Sequence, residues 1–193
     1  SINEGLITPS KVQYVAKGFN YRRPGYEYSG KMKVLKSIIS LNYLWNNVRV
    51  MGGAYGCNAY IFRSGNIYFT SYRDPNLTET LKVYEDVYKY IENFEADDYD
   101  MTKYILGTIS TIDQPLVPRM IGEKSDSNYF SKLTYEDIQK ERDEILSTNK
   151  QDIRAYSKLL KDVMNEKYLC VLGNDVKMNA SKEMFNKLIN VFE

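Results

Sequence analysis

Two aromatic-rich runs, residues 54–62 and 67–72, lie on either side of the four residues Arg63-Ser64-Gly65-Asn66. A short connection that contains glycine, placed between two such runs, is typical of a β-hairpin. The two strands of a hairpin pair in antiparallel fashion, so this feature favours a fold whose sheet is largely antiparallel.

Helical patterns surround the hairpin. One of them predicts a helix over residues 29–45 with Leu35, Ile38, Ile39, Asn42 and Trp45 on a single stripe. The patterns predict, in chain order, a strand (11–20) after Pro9, a turn (22–25), a helix (29–45), the hairpin, helices that start at Asp74-Pro75, Asp97-Asp98, Thr134 and Thr148 (the last with Gln151), a strand (168–172) and a final helix (181–192).

Hairpins mixed with segregated helices indicate the α+β class, with a largely antiparallel sheet and helices packed on one face. Residues 113–133 fit neither pattern, because they hold two prolines, a glycine and a polar run. They are predicted to form a long irregular loop, which inside a compact domain is either mobile or functional. No linker divides the chain, so a single domain over residues 1–193 is expected.

Composition excludes several classes of function. The chain has 26 basic and 25 acidic residues and a formal net charge of +1, which argues against a nucleic-acid or membrane-surface partner. No apolar run is long enough to span a bilayer. The chain contains no histidine, and this absence excludes a Ser-His-Asp triad, a Cys-His pair and a histidine-ligated zinc site within it.

Other motifs point to no metal or nucleotide site. Asp97, Asp98 and Asp100 form an acidic cluster that fits no calcium loop and is interpreted as a solvated helix start. Residues 122–125 lack the glycines of a P-loop. Two cysteines, 57 and 170, are far apart and are expected to be buried free thiols in a reducing compartment.

The segment from Arg49 to Gly56 (Arg-Val-Met-Gly-Gly-Ala-Tyr-Gly) allows two interpretations. In a structural role, Arg49 is a strand residue in a salt bridge and Tyr55 lies in the core. In a functional role, Gly52 and Gly53 permit positive φ or close approach of the backbone. Arg49 and Tyr55 then offer two hydrogen-bond donors to a peptide carbonyl and stabilise negative charge on its oxygen.

Several segments together resemble one known family. They are 9–15 (Pro-Ser-Lys-Val-Gln-Tyr-Val), 48–56 (Val-Arg-Val-Met-Gly-Gly-Ala-Tyr-Gly), 71–77 (Ser-Tyr-Arg-Asp-Pro-Asn-Leu), 105–110 with 113–115, and 134–137 with 142–146. In this order they resemble the last domain of the presequence-protease branch of the pitrilysin and insulinase zinc peptidases. The resemblance covers essentially the whole chain.

The resemblance implies a specific role. Such enzymes close two halves, each of two α+β domains, around a peptide chamber, and their zinc sits on an inverted H-x-x-E-H motif in the first domain. This chain would be the fourth domain, with no cofactor of its own and with zinc in the full-length enzyme. Arg49 and Tyr55 would be the catalytic residues supplied on closure, and Gly52, Gly53 and Ala54 would bind substrate.

The implied partners are a peptide substrate and the N-terminal catalytic half of the same polypeptide. The expected location is the bacterial cytoplasm, with an organellar matrix as the other possibility. Because the first residue is not methionine, the chain is expected to be a piece of a longer protein. Two alternatives stay open: a non-catalytic subunit of the processing-peptidase type, and a free-standing α+β binding module.

Overall fold

A computed structural model describes residues 2–166 and 168–192, so Ser1, Lys167 and Glu193 lie outside the described part. Six strands form one sheet in the order β3-β4-β2-β5-β1-β6. The strands are β1 (Glu4–Thr8), β2 (Gln13–Asn20), β3 (Gly56–Ile61), β4 (Asn66–Asp74), β5 (Leu169–Asn174) and β6 (Lys187–Asn190).

Strand pairing is mixed but mainly antiparallel. The pairs β3–β4, β4–β2 and β2–β5 are antiparallel, whereas β1 pairs with β5 and β6 in parallel fashion. Side chains along β4 alternate: Ile67, Phe69 and Ser71 are buried, and the residues between them face outward. Such alternation means that helices cover one face of the sheet, as the α+β prediction requires.

The helices occupy the connections between the strands. They are α1 (Lys31–Ile38), a π-helical segment that continues it (Ile39–Met51, the π segment), α2 (Thr78–Glu92), α3 (Asp98–Ile112), α4 (Pro118–Phe130), α5 (Tyr135–Leu146), α6 (Lys150–Ala155), α7 (Ser157–Met164), α8 (Asp175–Ala180) and a 3₁₀ turn (Lys182–Met184). No helix in the described ranges has the length and apolarity needed to cross a membrane.

The core lies between the sheet and the helices. Phe69 of β4 packs edge-to-face against Tyr84 of α2 with ring centres 5.6 Å apart, and both side chains are fully buried. Full burial of one such side chain contributes about 1.5–3 kcal/mol relative to exposure. Helix α2 is therefore fixed against β4.

The π segment corrects the predicted stripe of the first long helix. Its buried residues are Ile39, Leu44 and Val48, at spacings of five and four. These spacings exceed the 3.6-residue period of an α-helix and suit i→i+5 hydrogen bonding. Trp45, which the α-helical period placed on the buried stripe, is instead 43% exposed.

Several predictions of local structure hold. The hairpin, the strand within 11–20 and the strand that begins near 168 are present as β3–β4, β2 and β5. Asp97 caps α3 through a hydrogen bond from the Asp100 N–H, and Thr134 with Asp137 forms the capping box of α5.

Other predictions are wrong. Helix α2 starts at Thr78 rather than at Asp74-Pro75, because Asp74 is the last residue of β4. The cap of α6 is Asn149 with Asp152, one residue after the predicted Thr148 with Gln151. The predicted final helix over 181–192 is replaced by the 3₁₀ turn and β6, and β1 was not predicted.

The predicted loop over residues 113–133 is also wrong, because its centre is the helix α4. Pro118 occupies the first turn of this helix, where its missing N–H leaves no hydrogen bond unmade. No side chain of α4 is buried. Its sequence therefore lacks the apolar periodicity from which a helix is predicted.

Candidate functional site

Arg49 lies in the last turn of the π segment. Its guanidinium carbon is 3.9 Å from the centre of the Trp45 ring, four residues earlier. Within residues 2–166 and 168–192 the Arg49 side chain forms no salt bridge. The interpretation of Arg49 as a strand residue in a salt bridge is therefore wrong, and its charged group lies on an aromatic surface.

Gly53 lies two residues after the end of the π segment and has a left-handed conformation, with φ of +79°. Its N–H donates to the Arg49 carbonyl at 2.9 Å, and the Ala54 N–H donates to the Val48 carbonyl at 3.1 Å. This is the pattern of a glycine C-cap, in which the left-handed residue turns the chain away from the helix axis. Gly53 is thus the residue that reverses the chain between Arg49 and Tyr55.

Gly52 and Ala54 have structural explanations. Gly52 is helical, with φ of −81°, and a Cβ there would lie 2.6 Å from the Val48 carbonyl oxygen. Its own carbonyl accepts a hydrogen bond of 2.6 Å from the Asn76 side chain, which fastens the turn to the chain after β4. Ala54 is buried. Their backbone shapes the turn, and a role in substrate binding stays a prediction.

Tyr55 is exposed, not a core residue. Its side chain is 61% exposed, and its ring packs edge-to-face against Tyr72, with ring centres 5.2 Å apart. Tyr72 in turn lies 6.4 Å from Tyr14 between ring centres. The structural interpretation of Tyr55 is therefore wrong, and its ring stands at the end of an exposed aromatic cluster.

Arg73 is a site residue that the sequence interpretation missed. It lies in a β-bulge: Gln13 pairs with Asp74 and Val15 with Ser71, so that Tyr72 and Arg73 together oppose one residue of β2. Both bulged residues are exposed. The Arg73 guanidinium carbon lies 5.6 Å from the centre of the Tyr55 ring.

A signal for this bulge was present in the sequence. Strict alternation from Ile67, Phe69 and Ser71 would place Arg73 on the buried face, where an unpaired guanidinium is strongly disfavoured. An extra residue in β4 restores the alternation so that Asp74 is buried. Bulges of this kind redirect a side chain and are common next to active sites.

A buried polar network stabilises the end of β4, to which the turn of residues 52–54 is fastened. The Asp74 carboxylate accepts hydrogen bonds from the Asn76 N–H (2.8 Å) and the Thr80 hydroxyl (2.7 Å). The amide of buried Gln13 donates to the Asp74 carbonyl at 3.2 Å and accepts from the Asn174 N–H at 3.0 Å. The ends of β2, β4 and β5 are thereby joined, which fixes the backbone on which Arg73 stands.

Arg49, Tyr55 and Arg73 line one open groove, together with Trp45 and Gly53. Among the residues that the structure describes, none that lines the groove is a carboxylate. Burial raises the pKa of the nearby Cys57 thiol to about 11, an effect that the Arg49 charge partly offsets, so this thiol is protonated at neutral pH. The groove can therefore bind and polarise an oxygen atom, and its own side chains supply no general base or thiolate nucleophile.

Metal-binding side chains do not converge in the part of the chain that the structure describes. No group of three His, Cys, Asp or Glu side chains there could hold a metal ion. A zinc site does not fit these residues, because the chain has no histidine and its two cysteines lie on different strands.

Comparison with known proteins identifies the family of the chain. A family model described as PreP C-terminal domain matches residues 3–174. Protein HypA from Clostridium perfringens is 49% identical over 191 residues, which are 99% of this chain and 20% of that protein. Presequence protease 1, chloroplastic/mitochondrial, from Arabidopsis thaliana is 36% identical over 171 residues, 88% of this chain and 16% of that protein.

The fold is also that of a solved peptidase. The pitrilysin structure superposes with a TM-score of 0.63 at 12% identity, over 89% of this chain and 19% of pitrilysin. The molecule thus has the fold of a pitrilysin domain. The chain belongs to the PreP C-terminal domain family, and it spans about a fifth of the length of the relatives described above.

Proposed function

We propose that this chain is the C-terminal domain of a zinc-dependent metalloendopeptidase that degrades unfolded peptides in an enclosed chamber. Membership of the PreP C-terminal domain family supports this, as does the name of the Arabidopsis relative, a presequence protease. The relatives are about five times longer than this chain, so the N-terminal part of the same polypeptide is the proposed partner. The domain by itself is proposed to be inactive.

One observation carries the proposed chemistry: an arginine that forms no salt bridge with the described residues and an exposed tyrosine line the same groove. Arg49 and Tyr55 are proposed to donate hydrogen bonds to the carbonyl oxygen of the peptide bond to be cleaved. Such donors act most strongly when water is excluded and negative charge develops on that oxygen. Closure of the chamber would supply both conditions at once.

The turn between the two residues has a proposed role as well. The left-handed Gly53 reverses the chain without a side chain, and the backbone of residues 52–54 can approach an extended peptide closely. Gly52, Gly53 and Ala54 are therefore proposed as main-chain contacts to substrate. Zinc, which polarises a carbonyl and activates water, is proposed to be held by the N-terminal part.

Location and further partners follow from the same proposal. The proposed location is the bacterial cytoplasm, with an organellar matrix as the other possibility. Unfolded peptides occur in both. The relatives include a protein of Clostridium perfringens and one described as chloroplastic/mitochondrial. The near-neutral net charge of the chain gives no support to a nucleic-acid or membrane partner.

The test uses the full-length polypeptide and a fluorogenic peptide. Tyr55→Phe removes one donor and is expected to lower kcat by about 10²-fold, as loss of one oxyanion donor does elsewhere. Arg49→Ala is expected to lower kcat/KM by a similar factor, while zinc content and thermal unfolding stay unchanged. Tyr129→Phe, at an 80% exposed tyrosine on α4, is the matched control and should cleave like the parent protein.

Two outcomes would reject the proposal. If Tyr55→Phe and Arg49→Ala both cleaved peptides normally, these residues would have no part in the active site. If the unmodified full-length protein bound peptides without cleaving them, the chain would belong to a non-catalytic subunit of the processing-peptidase type.

A further inference from the structure

Arg73 combines an unusual backbone with an unusual position. It has φ of +48°, and Lys132, with φ of +54°, is the other non-glycine residue with positive φ in the described ranges. In this conformation the Cβ atom crowds the following carbonyl oxygen, and such strain persists mainly where the surrounding structure enforces it. At Arg73 the enforcement comes from the bulge in β4.

The arginines of the chain fall into two groups. Six of the eight donate hydrogen bonds to protein groups: Arg22 to the Arg63 carbonyl, Arg23 to Tyr168, Arg63 to Glu141, Arg119 to Glu123, Arg142 to Asp113 and Arg154 to Glu95. Among residues 2–166 and 168–192, the side chains of Arg49 and Arg73 have no such partner, and both line the groove.

The groove thus concentrates uncompensated donors. Arg49 lies over Trp45, Arg73 lies near the ring of Tyr55, and no carboxylate from the described part of the chain lines the space that they share. A guanidinium presents five N–H donors, of which stacking on a ring uses none. The donors of both arginines therefore remain available to oxygen atoms of a ligand.

We propose that Arg73 is a further substrate-binding residue, which donates hydrogen bonds to a carbonyl or carboxylate oxygen of the bound peptide. The contacted oxygen lies next to the carbonyl held by Arg49 and Tyr55. This inference rests on the proposed peptidase function. The bulge and the left-handed backbone place the guanidinium of Arg73 on the same side as Tyr55, where a regular strand would turn it toward the core.

A purely structural role for Arg73 makes a different prediction. If its guanidinium only supported the Tyr55 ring, replacement would alter kcat in parallel with Tyr55→Phe and leave KM unchanged. A residue that binds substrate in the ground state raises KM when it is removed. The change in KM compared with the change in kcat therefore distinguishes the two roles.

The first experiment compares Arg73→Gly with Lys132→Gly in the full-length polypeptide. Glycine adopts positive φ without strain, so both variants are expected to unfold at the same temperature as the parent or higher. Arg73→Gly is expected to raise KM for a peptide substrate about tenfold, whereas Lys132→Gly leaves KM unchanged. An unchanged KM for Arg73→Gly would overturn the proposal.

The second experiment identifies the contacted oxygen with Arg73→Gln, which keeps the strained backbone but removes the charge. Its substrates are matched peptides that carry Glu or Gln near the cleavage site, each with a free or an amidated C-terminus. An equal rise in KM for all peptides indicates a main-chain carbonyl. A rise confined to the Glu peptides, or to those with a free C-terminus, indicates a carboxylate.

Failure of this inference is separable from failure of the proposed function. If Tyr55→Phe lowers kcat while both Arg73 variants keep the parental KM for all peptides, Arg73 does not bind substrate and the peptidase function stands. If Tyr55→Phe and Arg49→Ala also cleave normally, the proposed function itself is wrong.

Discussion

The guanidinium carbon of Arg49 lies 3.9 Å from the centre of the Trp45 ring, one turn earlier in the π segment. An exposed cation–π contact of this kind is worth about 0.5–1 kcal/mol. Here its effect is mainly on orientation, because the ring limits the positions that the long arginine side chain can adopt. Trp45 therefore positions a residue that is proposed to contact the substrate.

Replacement of the ring tests this relationship. Trp45→Leu removes the aromatic surface and is expected to reduce kcat/KM for peptide cleavage about two- to fivefold, the equivalent of the contact energy. Trp45→Phe keeps a ring and is expected to retain most of the activity. Steady-state kinetics on the full-length polypeptide measures both. Equal activity of the Leu variant and the parent would show that Arg49 does not depend on Trp45.

Much of the fold could be predicted because its signals are local. The hairpin, the capping box at Thr134 and the cap at Asp97 each depend on residues within a few positions of one another. The strands β1 and β6 were missed for the opposite reason: Glu4 pairs with Lys187 at the far end of the chain. The local sequence pattern of either segment does not indicate so distant a pairing partner.

Part of the candidate site could also be predicted. The residue types and the family resemblance selected Arg49 and Tyr55, and the structure brings them to one groove. The contribution of Trp45 was missed because an α-helical period was assumed where the chain is a π-helix. Arg73 was not predicted, because a bulge at the end of β4 changes which face a residue occupies.

Gly53 provides a second prediction, with an internal control. Gly53 and Gly25 both have positive φ (+79° and +93°), and apart from the adjacent residues no described atom lies closer than 3.5 Å to a Cβ built at either position. Alanine at either position is expected to cost about 1–2 kcal/mol of unfolding free energy through backbone strain alone. Only Gly53→Ala is expected to reduce peptide cleavage as well, because it displaces the turn that joins Arg49 to Tyr55.

Urea unfolding and peptide kinetics on the same two variants check this prediction. Similar losses of stability with a loss of activity confined to Gly53→Ala would support the assigned role of the turn. Equal activity of the two variants would mean that the geometry of the turn is unimportant for cleavage.

Glu141 gives a prediction about pH. Burial opposes its ionisation, but Lys33 (2.6 Å), the Tyr28 hydroxyl (2.6 Å) and Arg63 (3.0 Å) outweigh burial and hold the pKa of Glu141 below its usual value. A carboxyl whose pKa is lower in the folded than in the unfolded state stabilises the fold above its unfolded pKa. That stability is lost as pH falls through the folded pKa.

Glu141→Gln is therefore expected to lower the unfolding free energy of this chain by about 1–3 kcal/mol at pH 7. The difference from the parent should begin to shrink as pH falls below about 4, the pKa of an unfolded glutamate, and should vanish once pH has fallen through the lower folded pKa. Urea titrations between pH 3 and pH 7 measure this difference. Glu136→Gln, at an exposed position on the same helix, should change stability little at any of these pH values. A difference for Glu141→Gln that did not vary with pH would contradict the assigned ion pairs.

The two cysteines supply a test of the fold next to the site. Both were expected to be buried, but Cys170 is exposed on β5, whereas Cys57 is buried on β3, two residues after Tyr55. Burial raises the pKa of the Cys57 thiol to about 11, so its thiolate fraction at pH 8 is very small. A thiol reagent is therefore expected to modify Cys170 in the native chain and Cys57 only when β3 opens.

Cys170→Ser removes the exposed thiol, so that only the labelling of Cys57 is measured. Cys57→Ser is the matched control that keeps the exposed thiol. In Cys170→Ser, labelling of the native chain at pH 8 is expected to be at least about a hundredfold slower than in urea, because it requires local opening. Adding Gly53→Ala to Cys170→Ser is expected to accelerate labelling, since the strained turn directly precedes β3. Fast labelling of Cys57 in the otherwise unaltered native chain would show that β3 does not hold the buried register on which the position of Tyr55 depends.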